Sequence, residues 1–370
     1  MPHRCVSNKA PAECGGDPFR SLPDAVVQHV LGFLPARDAL RMCAVARRWR
    51  PLWRSAPRLR IAGVEALRNV WSVWKLYRFV RRFLLLREPS AALDECEFDL
   101  RGFSELDGTR VDLWIRHGSM CRVRVLQIRL YTDERVQLAD WPLFSNVLVR
   151  LELHGLALEE SFLDFSSCPA LEYVKITNCL LNADKILSRS LNHLKITGCE
   201  LCTRDVTTHI SVPSLVSLQL DDYDGLTPIL ESMPLLEPAS VKLGHNNEEY
   251  CDFCDGDGSG ECICSMEAIY YNANGSRNDV CFLLGGLSNV TCLELKASSE
   301  MVAFKRDLRC CPTFSKLKIL LLNDWCLVAD LHALVCFLQC TPFLEKLILH
   351  LCKGNMSFYY DWCFLSRTMT

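Results

Sequence analysis

No stretch of this 370-residue sequence offers the ~18 or more consecutive apolar residues that a membrane-spanning helix needs. The opening residues, MPHRCVSNKAPAECGGDP, have no apolar core of the secretory kind and read as a disordered leader over 1–17. Catalytic signatures are missing too: there is no phosphate-binding Gly-Lys-Ser/Thr loop, no H-E-x-x-H and no Gly-x-Ser-x-Gly elbow. The 9 histidines are scattered, with no His–acid constellation that sequence alone defends. These absences lead to the expectation of a cytoplasmic or nuclear protein that is no enzyme and carries no cofactor.

What is present is a globular composition, 49% hydrophobic and 23% charged, long enough for a sizeable core. The 22 cysteines would suit a secreted disulfide scaffold, but such scaffolds are small and loop-rich. Here they sit mostly inside Leu/Ile/Val-rich segments, where a free thiol acts as a small apolar residue. They are read as reduced core positions.

Charge is divided unevenly. Residues 17–90 hold 15 Lys/Arg against 5 Asp/Glu, whereas residues 91–370 hold 24 against 38. A basic head on an acidic body raises a nucleic-acid reading. The cluster Arg37–Arg60 lacks interleaved exposed aromatics, since Trp49 and Trp53 fall on apolar faces.

The head itself, SLPDAVVQHVLGFLP from residue 21, reads as a short helix. Pro23 suits a first turn, and Ser21 with Asp24 resembles a capping box. Val26, Val27, Val30, Leu31 and Leu34 share one face, and Pro35 ends the helix. Asp38 is a plausible cap for a second helix through Trp49 and Trp53, broken by Pro51. So short a helix is marginal alone and must dock on something.

The order of residues in LPDAVVQHVLGFLPARDALRMCAVARRWRPLW closely resembles an F-box, here taken as 18–60. Departures are mild: Cys43-Ala44 replaces small hydroxyl residues, and Val26-Val27 stands where Leu is common. The resemblance implies binding to the Skp-type adaptor of a cullin–RING ubiquitin ligase through apolar helix packing. It implies that Leu22, Pro23, Val27, Val30, Leu31, Leu34, Pro35 and Leu40 touch or shape that surface, with Trp49 and Trp53 holding the helices together.

The body is repetitive. L-x-x-L-x-L, with any aliphatic residue as L, recurs clearly from 148, 171, 191, 215, 317 and 344, and more loosely from 93, 123, 238 and 290. Starts from 123 to 238 lie 25, 23, 20, 24 and 23 apart, and those from 290 to 344 lie 27 and 27 apart. This is the leucine-rich-repeat period, ~20–29 residues. Cys179, Cys199 and Cys352 each stand eight positions after a repeat's first Leu, where such repeats place Asn or Cys. The expected fold is therefore α/β: a helical F-box, then a leucine-rich-repeat solenoid with a curved parallel β-sheet over 93–354.

Strand alternation directs the third and fifth residues of each motif, and the one after it, out of the concave face. Arg150, Glu152, Tyr173, Lys175, His193, Lys195 and Gln219 are the candidate partner-binding residues. Residues 61–92 read as a helical linker, with Trp71, Trp74, Phe79, Phe83 and Leu84 cementing head to body. Linker and repeats resemble the large plant family of F-box proteins with leucine-rich repeats, in which a small C-terminal module often follows. The expectation here is that this module is truncated to a divergent tail, 355–370.

One stretch is off period. The gap from 238 to 290 holds CDFCDGDGSGECIC, an insertion near 245–265. Cys251, Cys254, Cys262 and Cys264 are candidate zinc ligands, but their C-x2-C-x7-C-x-C spacing is atypical. Asp255 and Asp257 open a calcium-loop pattern that Met266 breaks at its twelfth position. An exposed Gly/Asp insertion without metal is the expectation. The function expected is that of the substrate-recognition subunit of a ubiquitin ligase. A scaffold without ubiquitination and a nucleic-acid binder are the alternatives.

Overall fold

A computed structural model describes residues 22–45, 47–62, 70–88, 91–101, 108–120, 122–132, 134–201, 207–244, 281–297, 304, 307–327 and 331–351. The head begins with two helices, α1 (Asp24–Phe33) and α2 (Ala36–Val45). Pro23 lacks an N–H, but its carbonyl accepts from Val26 and Val27 at 3.0 and 3.2 Å and starts α1. Pro35 repeats the device, accepting from Asp38 and Ala39 at 2.8 and 3.0 Å. Asp38 is therefore not the cap expected of it. It lies within the first turn of α2 and pairs with Arg41 at 2.9 Å. Two 3-10 turns, Arg47–Trp49 and Leu52–Ser55, flank the break at Pro51.

From there the chain enters one long parallel sheet. Its strands are β1 (Arg58–Ala62), β2 (Glu95–Arg101), β3 (Val125–Tyr131), β5 (Arg150–His154), β7 (Tyr173–Thr177), β10 (His193–Thr197), β13 (Ser217–Gly225), β15 (Pro238–Leu243), β16 (Cys292–Lys296), β17 (Ile319–Asn323) and β18 (Lys346–His350). Neighbours pair in register, Arg150 with Tyr173, Tyr173 with His193 and His193 with Ser217. Every second residue is buried, so Leu151, Val174, Ile176, Leu194, Ile196, Leu218 and Leu220 stack into a continuous aliphatic core. The fold is the expected α/β solenoid behind a helical head.

Strand β1 lies ahead of the first expected repeat. Its partner is β2, so α3 (Val70–Leu85), in the segment read as a linker, is the return of the first coil. Coil length decides what the return contains. The 37 residues from 58 to 95 and the 30 from 95 to 125 leave room for α3 and for α4 (Gly108–Met120). A helix advances only about 1.5 Å per residue, so coils of 20–24 residues must close in extended chain at about 3.3 Å per residue. They do so with two further parallel ladders. One joins β4 (Val136–Gln137), β6 (Leu156–Glu159), β8 (Leu180–Asn182) and β11 (Glu200–Leu201); the other joins β9 (Lys185–Leu187), β12 (His209–Ser211) and β14 (Ile229–Leu230). A one-turn helix, α5 (Glu160–Leu163), precedes β7, and α6 (His332–Cys340) precedes β18.

At four successive central strands, β5, β7, β10 and β13, the chain turns through a left-handed residue. Gly155, Asn178, Gly198 and Asp222 have φ of 76°, 50°, 59° and 49°, and each is the eighth residue of its repeat. A Cβ on Gly155 would stand 2.0 Å from the Leu130 carbonyl oxygen, whereas at Gly198 nothing lies within 4 Å. Gly198→Ala should therefore cost about 1 kcal/mol of backbone strain. Gly155→Ala adds a backbone clash and should cost about 2–3 kcal/mol. Equilibrium denaturation of both variants checks the order.

Cys179 and Cys199, next to these corners, are buried in adjacent coils, and the Cys179 N–H donates to Cys199 Sγ at 3.5 Å. Burial pushes the Cys179 thiol well up, and the Cys168 thiol up to about 11. Cys179 and Cys168 are thus packed, reduced thiols, unreactive at neutral pH.

Candidate interaction surfaces

Two surfaces carry the expected site residues. On the head, Val27 and Leu31 point inward and are buried, and Leu22, Leu34 and Leu40 pack against the same core. Pro35 is half-buried and bridges to Arg60. Trp49 and Trp53 are buried, and Trp53 lies 4.6 Å from Phe83 of α3, ring to ring. Of the expected cementing residues, Phe83 and Leu84 are buried and Phe79 is half-buried, while Trp74 is exposed; the Trp71 side chain lies outside the described residues.

What faces outward is a different set. Val26, Val30 and Phe33 are 43%, 40% and 55% exposed, and with Pro23 they run down one side of α1 at i, i+4 and i+7 spacing. Met42 on α2 is exposed as well. Only Pro23 and Val30 were singled out from sequence. The missed signal lies in the apolar pairs Val26-Val27, Val30-Leu31 and Phe33-Leu34, each placing one residue in and one out. A helix apolar on both sides is built to be covered on both sides.

That helix is held rigidly. Gly32 allows α1 to lie on β1, where an added Cβ would meet Arg58 Cβ at 3.0 Å. The Arg58 guanidinium sits 5.0 Å from the centre of the Phe33 ring and pairs with Glu95 of β2 at 3.1 Å. Head and sheet thus share one core. The Arg37–Arg60 cluster is largely occupied: Arg41 pairs with Asp38, Arg48 with Asp24, Arg60 with Glu97, and Arg54 lies over Trp53.

On the sheet face the expected residues stand in register. Arg150, Tyr173, His193 and Ser217 form one row; Glu152, Lys175, Lys195 and Gln219 form the next. Glu152 is not available to a partner. It is 6% exposed, with Arg150 at 2.6 Å and Arg129 at 3.2 Å. Burial alone would raise its carboxyl pKa, but the hydrogen bonds from Arg150 and Arg129 outweigh that and hold it below the usual range. Arg150 also lies 4.0 Å over the Tyr173 ring. Gln219 donates to Asp221.

Cys251, Cys254, Cys262 and Cys264 lie outside the described residues. Among the described residues, no group of three or more His, Cys, Asp or Glu is arranged to hold a metal ion. No described helix is long and apolar enough to cross a membrane.

The head matches the F-box domain family over residues 19–61, the stretch from before α1 to within β1. Along most of its length the chain is similar to an F-box/FBD/LRR-repeat protein of Arabidopsis thaliana, 25% identical over 92% of this chain and 78% of the relative. A second protein of that description from the same plant is 24% identical over 91% and 79%. The MEIOTIC F-BOX protein MOF of Oryza sativa subsp. japonica is 25% identical over 91% and 72%. The chain thus carries an F-box domain and is similar along most of its length to plant F-box/LRR-repeat proteins. In this F-box protein the matched domain ends inside the sheet, so F-box and repeats are one continuous structure rather than two bodies on a tether.

Proposed function

We propose that this F-box protein is the substrate-recognition subunit of a Skp–cullin–F-box ubiquitin ligase. The observation that carries the reading is the exposed apolar stripe Pro23, Val26, Val30 and Phe33 on a helix whose other side is locked into the sheet. A Skp-type adaptor covers that stripe, and the sheet face binds the target. The protein performs no chemistry of its own. It raises the effective concentration of a target lysine beside a charged ubiquitin-conjugating enzyme, and a rigid junction keeps that concentration high. The place of action is the cytosol or nucleus.

The test is reconstitution. Purified chain and Skp-type adaptor should co-elute at 1:1. With cullin, RING protein and ubiquitin-conjugating enzyme added, ubiquitin should pass to a partner bound by the repeats. Co-elution without transfer to any bound partner would make the protein a scaffold; no co-elution would sink the reading altogether. Lengthening the chain after Pro89 would not loosen the junction, because β1 has already joined the sheet before that point.

A further inference from the structure

We propose that the middle of the sheet face, around Lys175 and Lys195, docks an acidic, extended segment of the recruited protein. The inference rests on the reading of the sheet as the target-binding surface, and names the chemistry it selects.

Charges on this face are mostly neutralised internally. Toward the head, Arg58 meets Glu95, Arg60 meets Glu97, and Arg129 bridges Glu97 and Glu152, at 3.1–3.2 Å. Toward the other end, Lys242 meets Asp221 at 3.6 Å and Lys296 meets Glu294 at 2.7 Å. Between these stretches lie β7 and β10, where Lys175 and Lys195 form no ion pair with any described residue. They are partners in register on adjacent strands. Their backbones are therefore about 4.8 Å apart with both side chains on one face. Like charges placed directly opposite destabilise a sheet. Both lysines are also half-buried, which makes the uncompensated charge more costly. A carboxylate set between the two ammonium groups turns one repulsion into two attractions.

The surroundings fit a peptide. On one side the Tyr173 and His193 rings stand 6.3 Å apart, two residues along the strands from the lysines, and offer an aromatic shelf. On the other side, Thr177 and Thr197 stand side by side in register. The next coils toward the C-terminus present Ser217, Gln219 and Ser240, which add no charge. The patch is thus two strands wide, the width of one extended segment and too small for the run of phosphates that nucleic acid presents. The field of Lys175 reaches His154 as well: burial first, then Arg129 and Lys175, lower its imidazole pKa.

The test uses the full chain bound to its adaptor and a displayed library of random twelve-residue peptides. The natural chain should enrich Asp and Glu, and a selected peptide should bind at least tenfold more weakly to Lys175→Glu/Lys195→Glu by fluorescence anisotropy. That variant should enrich Lys and Arg instead, an exchange that a merely structural role would not produce. A second variant, Lys175→Met/Lys195→Met, should lose the preference without lowering the melting temperature, since it removes a repulsion. Unchanged acidic preference in either variant overturns the proposal, and so does tighter binding of oligo-dT than of any peptide. Ubiquitin transfer at full rate by the charge-reversed chain would also overturn it while leaving the receptor reading intact. Acidic binding lost in the variants, with no transfer by the natural chain, would sustain the docking site and refute the receptor reading.

Discussion

Replacing Phe33 with Asp should weaken adaptor capture by at least ~100-fold while leaving the fold unchanged. The Phe33 ring is more than half exposed, on the stripe with Val26 and Val30, and its only described ring neighbours are His29 and Arg58. Covering an aromatic side chain of this size stabilises an interface by about 1.5–3 kcal/mol. Burying a carboxylate in its place costs a similar amount or more. The sum exceeds the roughly 2.7 kcal/mol that a hundredfold change represents. Val30→Asp should act in the same way. Leu31→Asp, one residue away, should give the same binding defect for a different reason. Leu31 is 2% exposed in the core shared by head and sheet, so its variant should lower the melting temperature sharply. Adaptor affinity and circular dichroism on the three variants separate the effects. Normal adaptor binding by Phe33→Asp would remove the stripe from the interface.

Asp307→Ala should be among the most damaging single changes in the repeats. The carboxylate is fully buried and accepts three backbone N–H groups, from Phe282 at 3.3 Å, Leu283 at 2.6 Å and Leu284 at 2.8 Å. The Cys281 thiol donates to it as well, at 3.6 Å. It thereby organises the chain that leads into β16, where no strand ladder is present to satisfy those donors. Each buried N–H left without an acceptor costs about 1–3 kcal/mol, so the loss should reach about 4 kcal/mol. Asp307→Asn keeps one acceptor oxygen and should lose about half as much. In a solenoid each coil leans only on its neighbours, so the damage should stay local. Hydrogen exchange should accelerate at 282–284 and through β16 and β17 while α1 and β5 keep their protection. Uniform acceleration along the chain would show that the coils melt as one unit.

Much of this was legible in the residues. The spacing of L-x-x-L-x-L located each central strand because strand alternation and a fixed coil perimeter leave few ways to bury that pattern. Gly, Asn and Asp at the eighth position marked the left-handed corners, though period counting passed over them. Cysteine beside those corners was correctly read as a packed thiol. Less legible was β1: RLRIA has the alternation of a strand but none of the repeat's consensus, and only pairing with β2 makes it the first coil.

The head shows the same division. Sequence alone determined that α1 is short and must be covered, because its apolar residues outnumber what one face can hold. That it starts at the Pro23 carbonyl, not in a capping box with Pro23 inside the first turn, came from the structure. Only the tertiary structure decided which side is already covered. Gly32 brings α1 onto β1, so Val27 and Leu31 turn inward and Val26, Val30 and Phe33 remain outside. On the sheet, sequence assigned Glu152 and Lys175 the same outward position in successive repeats. Their different fates come from neighbours outside the repeat: Glu152 is closed off by Arg129 from 23 residues earlier, while no described carboxylate forms an ion pair with Lys175, its register neighbour Glu152 being held by Arg129 and Arg150. Periodicity sets which way a side chain points. Which charges it meets depends on residues that only register brings together.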